Sequence, residues 1–189
     1  MVDGAGCIIR CSLWLWTCSG DPGIQRTATG NDLPYQGGHR SFKNYSGLSR
    51  FNHQKTTEWV PVSFDLAYLT SLARDVNAKT NGCFDLTIKP LFDVWGFSKN
   101  GPQKVPSDDQ ILKVLKHVGI SRIEVDVPGL RMRKRDPEIQ LDLSSIGQGF
   151  TVGEIAKAFE VMGIDDYLIE IGGELKVRGR KPDGADWRV

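Results

Sequence analysis

The sequence predicts an α+β fold: a mixed or antiparallel sheet with helices packed on it. Three observations predict it. Three stretches carry apolar residues three and four apart behind a hydroxyl cap, starting at Ser63, Ser107 and Thr151. Short apolar or alternating runs lie between and after them, among them Phe84–Ile88, Ile123–Val127 and Tyr167–Ile171. Turn signals at Pro128-Gly129 and Gly172-Gly173 join neighbouring runs closely enough to make them hairpins.

Residues 1–40 come first and receive no element, because Gly, Pro, Asp and Thr interrupt them every few positions. Order begins at Ser63, an N-cap for a helix with Leu66, Leu69, Ala73 and Val76 on one face. Gly82 ends that unit. Phe84, Leu86 and Ile88 alternate as in a half-buried strand, which Pro90 stops. Ser107 and Gln110 form a capping box for a second helix, with Asp108 and Asp109 in its first turn and Ile111, Leu115 and Val118 on its apolar face. Gly119 closes it. Ile123–Val127 and Leu130–Lys134 read as a hairpin, and Ile139–Leu143 as a further strand. Thr151 and Glu154 form another capping box, for a helix lined by Ile155, Phe159 and Met162 and followed by Gly163. Tyr167–Ile171 and Leu175–Arg178 flank the Gly-Gly turn. Trp187–Val189 opens a strand in which the chain stops, so it reads as a fragment.

Bulk properties exclude several function classes. The chain has 189 residues and a net charge of +1, enough length for one domain with a core and no field drawing it to nucleic acid. The basic run Arg131, Arg133, Lys134 and Arg135 reads as the solvated end of the hairpin. The four cysteines show neither CxxC nor Cys/His spacing, which argues against a zinc site. His39, His53 and His117 form no cluster, with His117 pointing to solvent. Trp59, Trp95 and Phe97 read as core. No segment is long and apolar enough to span a bilayer, and Thr17 is too large to precede a lipidated Cys18.

Chemistry concentrates between Asp142 and Glu174. Asp142-Leu143-Ser144-Ser145-Ile146-Gly147-Gln148-Gly149-Phe150-Thr151 reads as strand, tight loop and helix start, with small residues and hydroxyls where backbone approaches something closely. A helix N-terminus beside such a loop favours a phosphate or a metal-bound phosphate. Tyr167-Leu168-Ile169-Glu170-Ile171-Gly172-Gly173-Glu174 returns as strand and turn. Glu170 and Glu174 are close enough in sequence for acid–base work, but read better as turn charges.

Four ordered blocks carry a resemblance: Leu48-Ser49-Arg50-Phe51-Asn52; Gly82-Cys83-Phe84-Asp85-Leu86-Thr87-Ile88 with Pro90-Leu91; Trp95-Gly96-Phe97; and the Asp142–Thr151 stretch with its Gly-Gly turn. From about Phe42 to Val189 the chain resembles the FAD:protein FMN transferases, the ApbE family. The resemblance implies an ApbE-like fold, here truncated: residues 41–189 would be a partial flavin transferase domain lacking its C-terminal part. It implies an enzyme that moves FMN from FAD to a Thr or Ser of an acceptor flavoprotein, with Mg2+ as the metal and no nucleic acid involved. Phe42 would stack on the flavin ring; Cys83, Phe84 and Asp85 would lie along FAD; Gln148 and Thr151 would touch it; and the Ser145 carbonyl would be a metal ligand.

The residues themselves leave Phe84 open between core and site, and Phe42 between site and surface. Gln148 stands where the family usually has Lys, and Gly153 where it usually has Asp. The remaining metal ligands would lie beyond Val189, so the fragment alone is expected to be inactive. The family usually works at the bacterial cell envelope, on the periplasmic side and lipoprotein-anchored, although the N-terminus here carries no clear signal peptide. The alternative is a non-catalytic flavin- or nucleotide-binding module or a degenerate remnant.

Overall fold

A computed structural model of the protein describes residues 7–12 and 15–18 as backbone, and residues 47–97 and 105–188 in full. The chain divides into two compact units, one built from Met1–Gln36 with Ile146–Val189 and the other from Gly37–Ser145. The expected boundary at residue 40 and Phe42 lie outside the described residues.

In the Gly37–Ser145 unit, α1 (Gly47–His53) is followed by the short strand β3 (Val60–Pro61) and the long helix α2 (Phe64–Lys79). Ser63 caps α2 as the sequence demands: its backbone is extended and its hydroxyl accepts from Leu66 N–H at 3.3 Å. Leu66, Ala67, Leu69, Thr70 and Ala73 are buried, and the helix packs on β4. The chain leaves it through Asn81 and Gly82, both at positive φ.

Helix α3 (Lys89–Val94) comes next. The expected strand Phe84–Ile88 is not formed. The Asp85 carboxylate accepts from the N–H and the hydroxyl of Thr87 at 2.7 and 2.6 Å, which folds the segment into a turn. Pro90 opens α3 instead of stopping a strand, since a first-turn position needs no N–H. Trp95 and Phe97, expected in the core, are exposed.

Helix α4 (Asp108–Leu115) has the full Ser107–Gln110 capping box, but its apolar face is shallow: Ile111 and Val118 are half-buried and Leu115 is exposed. A 3-10 turn leads from Gly119 into the hairpin β4 (Ile123–Asp126) and β5 (Arg131–Lys134), paired Ile123 to Lys134 through Asp126 to Arg131. Strand β3 adds to β5, giving the antiparallel order β3-β5-β4.

The basic run is not a loose solvated end. Arg133 and Arg135 both donate to Glu124, whose pKa they hold below its ordinary value through those bonds, and Arg131 pairs with Asp126. The Arg131 and Arg133 guanidiniums each lie 4.9 Å from the centre of the Trp59 ring. Lys134 points the other way and is 2% exposed. His117 is not free in solvent either: its ring pairs with Asp136 at 2.8 Å, beside Arg122.

The expected strand Ile139–Leu143 is an extended segment without a ladder. Ile139, Leu141 and Leu143 are buried, but the Asn52 carboxamide answers the Leu141 backbone, donating to its C=O and accepting from its N–H, both at 2.8 Å. One side chain here replaces a neighbouring strand.

In the other unit the sheet runs β2-β1-β6-β7, from β1 (Cys7–Ser12), β2 (Leu15–Cys18), β6 (Tyr167–Ile171) and β7 (Glu174–Arg178). Strand β1 pairs parallel with β6, from Cys7 opposite Tyr167 to Cys11 opposite Ile171, and the other pairs are antiparallel. The fold is therefore α+β with one mixed and one antiparallel sheet, and the two long helices each pack on a different sheet, not on one shared sheet. Gly172 and Gly173 have φ of +57° and +96°, the conformation a two-residue hairpin loop requires. Trp187 begins no strand; its indole N–H donates to the Arg178 carbonyl.

Helix α5 (Gly147–Val161) starts four residues before the expected Thr151 cap. Thr151 instead lies in the second turn and donates its hydroxyl to the Gly147 carbonyl at 2.7 Å. Val152 and Ala156, with Ile155 and Phe159 beside them, pack on Tyr167 and Ile169, while Met162 is 67% exposed. Tyr167 is fully buried, edge-on to Phe159, and donates to Glu160 at 2.9 Å.

Candidate functional site

The candidate residues of the Gly37–Ser145 unit gather where two distant segments meet. Asp142 N–H donates to the Leu86 carbonyl at 2.7 Å, so the segment that follows Cys83-Phe84-Asp85 meets the start of Asp142-Leu143-Ser144-Ser145. Each arm is fixed from beneath. Asn77 donates to the Phe84 carbonyl at 2.6 Å. Asp85 reaches Ile120 N–H at 3.0 Å with one oxygen and Thr87 with the other, and the buried Thr87 hydroxyl accepts from Gly119 N–H at 2.6 Å. Asn52 pins Leu141, immediately before Asp142.

This answers part of what the sequence left open. Phe84 is half-buried and Cys83 is exposed, so both present surface. Asp85 is half-buried with both oxygens bonded within the protein. Its partners explain a carboxylate in a half-buried turn without a ligand. Ser144 donates its N–H to Asp142 at 2.7 Å and also pairs with it through its hydroxyl. Ser145 is exposed at the tip. Asp142, Thr87 and Asn52 were present in the sequence motifs but carried no assigned role; Asp142 and Thr87 each stand between apolar neighbours, the signal that singles those two out, whereas nothing local marks Asn52.

In the other unit, Gln148 stands exposed in the first turn of α5, facing the Gly-Gly turn. A β-carbon on Gly172 would lie 2.5 Å from Gln148 Nε2, and one on Gly149 would lie 3.9 Å from Glu174 Oε2. The turn is glycine for two reasons, its positive φ and this close approach. Thr151 is half-buried, with its hydroxyl directed back to Gly147. Gly153 is a helix-interior residue, and a β-carbon there would meet nothing within 4 Å. Glu170 opposes Leu175 and Glu174 opposes Ile171 in the ladder, so the two carboxylates point to opposite faces and form no acid–base pair.

Among the described residues no group of three or more His, Cys, Asp or Glu side chains is placed to hold a metal ion. The Ser144 and Ser145 carbonyls and hydroxyls are neutral oxygens of the kind magnesium accepts, and the Asp142 carboxylate lies beside them on Ser144.

Comparisons with known proteins place the chain in a family. The model of the ApbE family matches residues 37–189. The FAD:protein FMN transferase of Salmonella typhimurium is 36% identical over 152 residues, which are 79% of this chain and 43% of that protein. Its Escherichia coli counterpart is 33% identical over the same shares. A single-residue mutant of the flavin transferase ApbE of Vibrio cholerae superposes with a TM-score of 0.76 at 33% identity, covering 80% of this chain and 52% of that one. The flavinyl transferase ApbE of Pseudomonas stutzeri gives 0.75 at 33% identity, over 81% and 50%. The chain thus spans less than half the length of the curated relatives it matches. Over that span sequence and fold both agree, and the chain belongs to the ApbE family.

Proposed function

We propose that this chain supplies the FAD-binding part of an FAD:protein FMN transferase. The observation that carries the reading is the Asp142–Leu86 bond, which joins the segment just after Cys83-Phe84-Asp85 to the start of the Asp142–Ser145 loop. Two family motifs distant in sequence are thereby joined at one point. The relatives' activity supports FAD as the substrate and a protein as the acceptor.

In the reaction a hydroxyl of a Thr or Ser on the acceptor attacks the phosphorus of the FMN half. A new phosphoester forms, the bond to the bridging pyrophosphate oxygen breaks, AMP leaves, and the hydroxyl proton is released. The chain's residues bind and orient. Cys83 and Phe84 take one part of FAD, and Ser144 and Ser145 meet the pyrophosphate. Gln148 donates its amide to the ligand in place of a lysine, which holds orientation without adding charge. The Ser145 carbonyl would be one ligand of Mg2+, which when bound neutralises phosphate charge.

Titration of the 189-residue chain with FAD, with and without Mg2+, tests the reading. Binding weaker than micromolar is expected, since that corresponds to about −8 kcal/mol and the described residues offer the metal few ligands. Binding that Phe84→Ala and Ser145→Pro leave unchanged would refute the site, and no binding at millimolar FAD would favour a remnant.

A further inference from the structure

Lys134 is a buried ammonium that the proposed chemistry does not use. Its Nζ donates to the carbonyls of Asn52 at 3.3 Å and Gln54 at 3.0 Å and lies 4.9 Å from the centre of the Phe51 ring. It therefore caps the C-terminal end of α1 with a cation, where the helix carries its negative end. A seven-residue helix does not hold itself in place. Buried Leu48 and Phe51 anchor one face of α1, and Lys134 fixes its end.

That end carries Asn52, 7% exposed, whose carboxamide holds the N–H and the C=O of Leu141. Leu141 is fully buried, and a hydrocarbon at position 52 would leave both groups unpaired in an apolar setting. One residue on, Asp142 bonds Leu86 and begins the candidate loop. A continuous path thus runs from β5 through Lys134, the end of α1, Asn52 and Leu141 to Asp142. We propose that Lys134 and Asn52 are positioning residues, which set the Asp142–Ser145 loop for its ligand through Leu141 without touching that ligand. The proposal deepens the FAD-binding reading and rests on it for the identity of the ligand.

Amide hydrogen exchange on the 189-residue chain tests the path without any ligand. In Lys134→Met and Asn52→Leu, the Leu141 and Asp142 amides are expected to exchange at least tenfold faster, while the Leu69–Ala73 amides inside α2 keep their protection and report that the unit is folded. Should Asn52→Leu fail to fold, Asn52→Asp keeps the acceptor for Leu141 N–H and replaces the donor to its C=O by a second acceptor; Leu141 and Asp142 should then still exchange faster than in wild type. Titration with FAD and Mg2+ is the second measurement: the variants should bind at least tenfold more weakly. Loop amides that exchange no faster than wild type, or only in step with α2, overturn the proposal, as does unchanged FAD affinity in a chain that binds FAD. A wild-type chain that binds no FAD sinks the function reading instead, and the exchange result alone then decides the path.

Discussion

The same lysine makes the stability of the chain depend on pH in a way that can be calculated. Burial, and then the nearby Lys55 charge, pull the Lys134 ammonium down to about 8 from 10.5, against weaker opposing pulls from Glu138 and Asp136. In the unfolded chain the group keeps its proton up to about pH 10.5, so between the two values the unfolded state binds more protons and folding is favoured as pH rises. Each unit of difference is worth about 1.4 kcal/mol, which makes the full effect about 3 kcal/mol and the part falling between pH 8 and 10 about 2 kcal/mol. Other titrations, such as that of buried Tyr167, whose pKa burial and then Glu160 raise, act in the opposite direction but are shared with a Lys134→Met variant. The measurement is therefore a difference. Urea unfolding followed by tryptophan fluorescence, at pH 7, 8, 9 and 10, should show wild type gaining about 2 kcal/mol on Lys134→Met between pH 8 and 10. A difference that stays flat, or falls, would mean that the carbonyls around Lys134 offset the cost of its burial, and the lowered pKa would be refuted.

Three further outcomes follow from other contacts. Gly153→Ala adds a β-carbon in open space inside α5 and should stabilise the protein by about 0.5–1 kcal/mol in thermal or urea unfolding; Gly153→Asp, beyond the first turn, should add no more stability than the alanine, and a larger gain would indicate a dipole contribution the helix start rules out. Gly172→Ala must adopt positive φ and displace Gln148, and should cost about 1–2 kcal/mol, seen as a lower Tm; an unchanged Tm would show that the turn tolerates a side chain. Burial pushes the Asp136 carboxyl up, but the Glu138 N–H, His117 and Arg122 outweigh it and hold its pKa below 3.8; the stability it contributes is present above pH 3.8 and lost as pH falls through the lower folded value, so Asp136→Asn should flatten the acid limb of an unfolding profile there.

The legibility of the sequence follows the range of the interactions involved. The Ser63 cap, the Ser107 box, the hairpin of β4 and β5, and the Gly172-Gly173 turn are all set within a few residues, and all formed as read. The errors arose where a side chain far away in sequence, or an unexpected local bond, took the backbone from its default. Alternation at Phe84, Leu86 and Ile88 was real, but the Asp85 carboxylate turned the chain before a strand could form. Burial at Ile139, Leu141 and Leu143 was real too, but Asn52, 89 residues away, stands in for the missing partner strand. Thr151 with Glu154 matched a capping box that the helix had already passed. For the candidate site, the motifs singled out Cys83–Asp85 and Ser145, whereas the contacts of Asn52, Thr87 and Lys134 exist only once distant segments meet.

The Asn52–Leu141 clamp also bears on how the protein folds. Its two ends are separated by 89 residues, so closing it costs loop entropy that no local helix or hairpin repays in advance. Segments α2 and the β4–β5 hairpin can form from near neighbours, but the Asp142–Ser145 loop takes its shape only after α1 and residues 139–143 have found each other. The candidate site is then the last part of its unit to become native, and substitutions at Asn52 should speed unfolding while leaving the folding rate almost unchanged.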